Sequence, residues 1–90
     1  MGLRNNCFFW RDNKGVEIDC IIEDGNRLTP VEIKSGITFN QDFFKNLIYW
    51  NKLSGNPVEN SYVIYGGDKT RNTKDGTLLS WRDIYEHLKY

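Results

Sequence analysis

The chain has 90 residues with 12 basic and 12 acidic side chains, so its formal net charge is zero. This length predicts one domain over residues 1–90 with a modest core, and 39% hydrophobic and 14% aromatic residues exclude a disordered chain. The balanced charge argues against a module that binds nucleic acid only through a basic surface, although Lys69, Arg71 and Lys74 form a short basic run.

The two cysteines and the absence of apolar segments bear on location. Cys7 and Cys20 have neither metal-ligand spacing nor the density of a secreted disulfide scaffold, so they are predicted to be buried, reduced thiols. No apolar run approaches the roughly 18 residues of a membrane span, and the start MGLRNN lacks the apolar stretch of a signal peptide. These features predict a cytoplasmic protein with no membrane partner.

Three strands are predicted at the start of the chain. The run from Asn6 to Arg11 is aromatic, Val16 to Glu23 alternates in hydrophobicity, and LTPVEIK follows the turn EDGN. Alternation gives the second strand two faces, one with Val16, Ile18, Cys20 and Ile22 and the other with Glu17, Asp19, Ile21 and Glu23. Pro30 cannot donate to a ladder, so the third strand either lies at an edge there or begins properly at Val31.

A helix is predicted next, beginning at a capping box of Thr38 and Gln41 and ending at Gly55. Its apolar face contains Phe39, Phe43, Leu47 and Trp50, widened by Phe44 and Ile48. A fourth strand, from Ser61 to Gly66, follows it.

The rest of the chain completes the predicted order. A polar loop from Gly67 to Gly76 leads to a short strand, TLLS, and Ser80 caps a last helix with an apolar face. That face contains Trp81, Ile84, Tyr85 and Leu88, whereas His87 is predicted to be a surface residue. The order β-β-β-α-β-(β)-α predicts an α/β domain, a mixed β-sheet flanked by helices.

The turn EDGN predicts which charges meet. If Gly25-Asn26 is a two-residue hairpin loop, Asp19 lies opposite Glu32 and Glu17 opposite Lys34 on one sheet face. A four-residue loop with the same centre gives the same pairs, whereas a three-residue loop sends the carboxylates to opposite faces.

The two predicted pairs differ in their chemistry. Glu17 and Lys34 would form an ordinary ion pair on a solvated strand face. Asp19 and Glu32 would repel each other unless a divalent cation, a shared proton or a nearby arginine such as Arg11 neutralises them. Asp19, Glu32 and the Ile33 carbonyl offer hard oxygen ligands for Mg²⁺ or Mn²⁺, and Lys34 could contact an attacking water in phosphodiester hydrolysis.

The pattern Asp19, twelve residues, then Glu32-Ile33-Lys34 resembles the PD-(D/E)xK nuclease superfamily. A longer similarity, over Phe9 to Gly55, Ile64 to Asp68 and Trp81-Arg82-Asp83, is to the C-terminal domain of unknown function of bacterial and archaeal AAA-type ATPases. The resemblance implies a restriction-endonuclease-like core and a Mg²⁺-dependent nuclease. Its site would hold Asp19, Glu32 and Lys34, and its partners would be nucleic acid and an upstream ATPase.

The chain departs from these families in two respects. No helix that could supply a further acidic residue precedes the first strand, and no GxxxxGK[ST] phosphate-binding loop is present. Both departures predict an excised C-terminal fragment of a longer ATPase. Glu17 could replace the missing carboxylate, while Gln41 and Arg11 are further accessory candidates. The alternative hypothesis is a catalytically inactive module for DNA or protein binding, or for oligomerisation.

Overall fold

The computed structural model of the chain describes residues 6–87. Its strands are β1 (Asn6–Arg11), β2 (Glu17–Asp24), β3 (Arg27–Lys34), β4 (Tyr62–Tyr65), β5 (Arg71–Thr73) and β6 (Gly76–Ser80), and its helices are α1 (Lys45–Ser54) and α2 (Ile84–His87). Short 3₁₀ segments lie at Gln41–Phe44, Val58–Asn60 and Trp81–Asp83. The predictions for the side chains of Tyr85, His87 and Leu88 lie outside the described part of the chain.

The six strands form one mixed sheet in the order β1-β2-β3-β4-β6-β5. The first three strands form an antiparallel meander, β3, β4 and β6 are parallel, and β5 is antiparallel to β6. This arrangement confirms a mixed-sheet α/β fold. The segment from Gly67 to Gly76, predicted to be a loop, contains β5, which pairs with β6. The sequence does not indicate this strand, because its residues are polar and lack the apolar alternation that signals a strand.

Helix α1 packs on one face of the sheet and supplies much of the core. Phe44, Leu47 and Trp50 are buried against the sheet, and Phe39, Phe43 and Ile48 are partly buried around them. Asn51 is also buried and donates from Nδ2 to Ser61 Oγ at 2.7 Å, which ties the helix to the segment that leads into β4. The predicted apolar residues therefore pack against the core, but only Leu47, Ile48 and Trp50 lie on α1, since Phe43 and Phe44 belong to the 3₁₀ turn before it and Phe39 precedes that turn.

The start of this helical segment differs from the prediction. Asn40 is the N-cap, and its Oδ1 accepts a hydrogen bond from Asp42 N at 2.8 Å. The capping box of Thr38 and Gln41 is wrong, because Asn40 is also a favoured cap residue and lies directly before the first 3₁₀ turn. The C-terminal prediction is correct, since Gly55 adopts φ +75° and donates to Asn51 O.

The last helical segment begins as predicted. The Ser80 hydroxyl accepts a hydrogen bond from Arg82 N at 3.2 Å, and Thr70 Oγ1 donates to Asp83 Oδ2 at 2.6 Å. No helix in residues 6–87 combines the length and apolar character that crossing a membrane requires.

A β-bulge changes the predicted faces of β2. Phe8 pairs with Ile21 and Trp10 with Ile18, which leaves two β2 residues, 19 and 20, opposite one residue of β1. Because the extra residue shifts the alternation, Ile18 and Ile21 both point into the core, with 0% and 1% exposure. The prediction that they lie on opposite faces is wrong.

The two cysteines form a disulfide in the structure. Cys7 on β1 and Cys20 at the bulge of β2 are joined, with Cys7 exposed and Cys20 half-buried. The prediction of buried, reduced thiols is therefore wrong, because pairing of β1 with β2 brings the two residues together across 13 positions of sequence. The cysteines thus supply no argument for a reducing compartment.

Candidate functional site

The β2–β3 hairpin positions the predicted carboxylates. Asp24 pairs with Arg27, and the register continues to Cys20 opposite Val31, which confirms the two-residue loop. The parallel ladder from β3 to β4 begins at Val31, so Pro30, which has no N–H, lies just outside it.

Beyond the Cys20–Val31 pair, hydrogen bonds from backbone N–H groups to carboxylate side chains join β2 and β3. Asp19 N donates to Glu32 Oε1 at 3.1 Å, and Ile33 N donates to Asp19 Oδ2 at 2.8 Å. Each carboxylate therefore reaches the backbone of the opposite strand. The two acidic side chains lie together where the ladder ends and the bulge begins, and β-bulges are common beside active sites.

Asn46 of α1 completes the surroundings of Glu32. Glu32 is only 3% exposed, and its Oε2 accepts a hydrogen bond from Asn46 Nδ2 at 3.2 Å. The same amide donates to the backbone oxygen of Glu17 at 3.1 Å. Asn46 was not among the predicted site residues, although a polar residue three positions after Phe43 and four before Trp50 interrupts the apolar face of the helix.

Burial has the largest influence on the ionisation of Glu32. It raises the pKa of the carboxyl group, the hydrogen bond from Asp19 N lowers it, the Asp19 carboxylate raises it, and the Lys34 charge lowers it. The net effect raises the pKa of Glu32 from 4.5 to about 7. In the metal-free protein, a proton on Glu32 therefore relieves the repulsion between the two acidic groups up to about neutral pH.

Lys34 lies on the same sheet face as Glu32. In the parallel register Glu32 is beside Val63 and Lys34 beside Tyr65, and both neighbours are core residues. The Lys34 ammonium lies 5.9 Å from the centroid of the Phe43 ring. This geometry places a cation two residues from Glu32 on the face that α1 covers.

The accessory residues have other partners. Glu17 forms its ion pair with Arg11, with 3.6 Å from Nε to Oε2, so the predicted pair with Lys34 is wrong. The cause is the register of β1 and β2, which sets Arg11 directly opposite Glu17. Gln41 donates from Nε2 to Asp75 Oδ2 at 2.6 Å, in the turn between β5 and β6.

The oxygen atoms of Asp19, Glu32 and Ile33 are the candidate ligands for a metal ion. Within residues 6–87 no group of three or more histidine, cysteine, aspartate or glutamate side chains is placed to hold one. Asp19 and Glu32 supply two carboxylates, and the Ile33 carbonyl points toward β2 because the N–H and C=O of an extended residue share one side. One or two carboxylates, with water and substrate oxygens, are a usual Mg²⁺ site, so these residues fit the ion.

Replacing Asn46 by alanine is expected to lower the free energy of unfolding by about 1–2 kcal/mol, because Glu32 Oε2 and the Glu17 carbonyl both lose a donor. Urea denaturation above pH 7, where Glu32 is ionised, measures the change. Lys45→Ala, an exposed change on the same helix, is the control and is expected to alter stability by less than about 0.5 kcal/mol. Equal effects of the two substitutions would contradict the role of Asn46.

The chain was compared with known protein families, curated proteins and solved structures. The model of one family, described as Domain of unknown function (DUF4143), matches residues 2–84. Neither the curated proteins nor the solved structures include a significant match. Because the match covers nearly the whole chain, the protein belongs to the DUF4143 family.

Proposed function

We propose that this domain is a Mg²⁺-dependent nuclease of the PD-(D/E)xK type, accessory to an AAA-type ATPase in its parent chain. One observation carries the proposal. Asp19, Glu32 and the Ile33 backbone converge at the end of the β2–β3 ladder, and Lys34 follows on the same strand. This convergence of the Glu-x-Lys strand with a neighbouring aspartate supports the proposal.

Each residue has a distinct role in this proposal. Asp19, Glu32 and the Ile33 carbonyl would hold the cation, which would supply Lewis acidity toward the scissile phosphoryl group. Lys34 orients the attacking water and stabilises the charge that develops on the phosphate. Asn46 acts through Glu32, because its amide holds one carboxylate oxygen in place.

The sheet topology also supports a restriction-endonuclease-like core. An antiparallel hairpin carries the acidic residues, and α1 then crosses over to the parallel strands β4 and β6. That order is the one expected from the resemblance to the nuclease superfamily. It is consistent with the proposed chemistry and places Glu32 and Lys34 on the helix-covered face.

Calorimetry with Mg²⁺ and Mn²⁺ tests the metal site. Wild type is expected to bind either ion, and Asp19→Asn is expected to weaken binding by about tenfold or more, because a carboxylate ligand is lost. Asp24→Asn, at the opposite end of the same hairpin, removes the same charge and should leave the affinity unchanged. No ion binding by the wild type, or equal loss in both variants, would overturn the proposal.

Plasmid nicking tests the chemistry separately. Wild type with Mg²⁺ is expected to nick plasmid DNA, and Lys34→Ala should abolish the activity while ion binding persists. Nicking that survives Lys34→Ala would assign the activity to a contaminant and not to this site.

A non-catalytic binding module is the second candidate function. It is favoured by the lack of a third acidic side chain at the site among the described residues and by Phe8 and Phe9, 42% and 56% exposed on the edge strand β1. Exposed aromatic rings on an edge strand suit a protein partner, either the upstream ATPase or a second copy of this chain. Ion-independent partner binding without cleavage would favour this function, and sedimentation velocity would reveal self-association.

A further inference from the structure

We propose that Lys34, Phe43, Phe39 and Arg71 form a continuous cation–aromatic row that binds a single-stranded polynucleotide beside the Asp19–Glu32 pair. The inference rests on the proposed function for its class of ligand. Its geometry depends on residues outside the carboxylate pair, and it names a more specific substrate than nucleic acid in general.

Three successive contacts connect the row. The Lys34 ammonium lies 5.9 Å from the Phe43 centroid. The Phe43 and Phe39 rings meet edge to face with centroids 5.9 Å apart, and the Arg71 guanidinium lies 5.2 Å from the Phe39 centroid. Both cations are therefore within the range of a cation–π contact, and the two rings join them.

The register places both cations on one side of the sheet. Lys34 on β3 is beside Tyr65, and Arg71 on β5 is opposite Leu78, two residues that belong to the core under α1. Three strand spacings separate β3 from β5 in the sheet, or about 14 Å. The row therefore runs across the sheet from the carboxylate pair toward its far edge.

Neither cation of the row forms a salt bridge with a carboxylate within residues 6–87. The ion pairs there join Arg11 to Glu17 and Lys74 to Asp75. Arg71 is exposed and Lys34 half-buried, and the two phenylalanine rings are only partly buried. Charges and ring surface thus remain available to a ligand.

A hydrogen bond holds one end of the row, Phe39 and Arg71, in place. Gln41 Nε2 donates to Asp75 Oδ2 at 2.6 Å, which joins the segment before α1 to the β5–β6 turn. Phe39 lies two residues before Gln41, and Arg71 lies on the strand before that turn. The bond therefore keeps Phe39 beside Arg71, a role for Gln41 that its predicted place in a capping box did not suggest.

Alternating cations and aromatic rings favour a single strand over a duplex. Unpaired bases stack on aromatic side chains whatever their sequence, whereas bases in a duplex already stack on each other. Two cations would contact two phosphates, which suits a protein of zero net charge that cannot depend on a broad basic surface. A strand lying along the row would lead directly to the Asp19–Glu32 pair.

Binding is measured by fluorescence anisotropy with a labelled oligonucleotide of about 10 nucleotides in EDTA, where cleavage cannot occur. Lys34→Ala and Arg71→Ala are each expected to weaken binding about threefold or more and to reduce the salt slope by about 0.7. Phe39→Leu keeps the apolar volume but removes the ring face, and it should weaken binding about fivefold.

Matched controls distinguish the row from general charge. Lys52→Ala on α1 and Arg27→Ala at the opposite end of β3 remove the same charges from exposed positions and should leave the affinity unchanged. Thermal melts exclude unfolding as the cause of any loss. Comparing a DNA oligonucleotide with an RNA oligonucleotide of the same sequence identifies the preferred strand, and binding of either supports the proposal.

Three outcomes would overturn the row. The first is an equal loss of affinity in Arg71→Ala and Arg27→Ala, and the second is an unchanged affinity in Phe39→Leu. The third is tighter binding of the matching duplex that depends on the same residues of the row. The binding assay contains no divalent cation, so it is independent of cleavage. Strand binding in EDTA without hydrolysis in Mg²⁺ would refute only the nuclease proposal. Hydrolysis without dependence on Arg71 or Phe39 would refute only the row.

Discussion

Replacing Glu32 by glutamine is expected to remove a pH dependence of stability that the wild type carries in the absence of metal. Burial raises the pKa of Glu32 from 4.5 to about 7, so the folded protein binds more protons than the unfolded chain between these values. The free energy of unfolding of the wild type therefore falls as pH rises through this window. Glutamine fills nearly the same volume but cannot ionise.

The size of this effect follows from the pKa shift. The variant is expected to gain about 3 kcal/mol relative to wild type between pH 4.5 and about 7, at roughly 1.4 kcal/mol per pKa unit. Urea denaturation in EDTA across this range measures it. Glu23→Gln replaces an exposed carboxylate on β2 and is the control. Its free energy of unfolding should follow the same dependence on pH as that of the wild type. Parallel curves for Glu32→Gln would show that Glu32 titrates normally.

Replacing Gly76 by alanine is expected to lower the free energy of unfolding by roughly 4 kcal/mol. Gly76 adopts φ +139°, which L side chains rarely adopt, and an added Cβ would lie 2.8 Å from Ser61 O and 3.0 Å from Phe44 Cε1. The methyl group must displace either the backbone before β4 or the ring that anchors the start of α1. The loss is a large share of the stability of a small domain.

Gly25→Ala separates backbone strain from close packing. Gly25 in the β2–β3 turn also has a positive φ, +64°, but nothing lies within 4 Å of an added Cβ. Its replacement should cost only about 1 kcal/mol, from the left-handed backbone alone. Thermal or urea denaturation of both variants measures the difference, and equal losses would contradict the packing argument at Gly76.

Much of the local structure could be predicted from the sequence. The turn at Gly25 sets the β2–β3 register, which brings Asp19 and Glu32 to the same end of the hairpin. The end of α1 at Gly55 and the cap at Ser80 were also predictable. Each of these features depends on residues close together in the chain, where turn and cap chemistry acts directly.

Features that depend on distant segments were not predictable in this way. The bulge in β2 arises from its pairing with β1, and it reverses the face that Ile21 occupies. The same pairing brings Cys7 to Cys20, where they form a disulfide, and brings Arg11 to Glu17, where they form an ion pair. Alternation within one strand contains no information about an extra residue relative to its neighbour.

By itself, the sequence determined the mixed sheet, the broad apolar face of α1 and the approach of two like-charged residues across a hairpin. Only the tertiary structure decided how that charge is accommodated, because α1 buries Glu32 and brings Asn46 to it. It also decided that Lys34 and Arg71, 37 positions apart in the chain, project on one face beside Phe43 and Phe39. Desolvation and contacts across a sheet depend on which segments pack together, and local periodicity does not specify that.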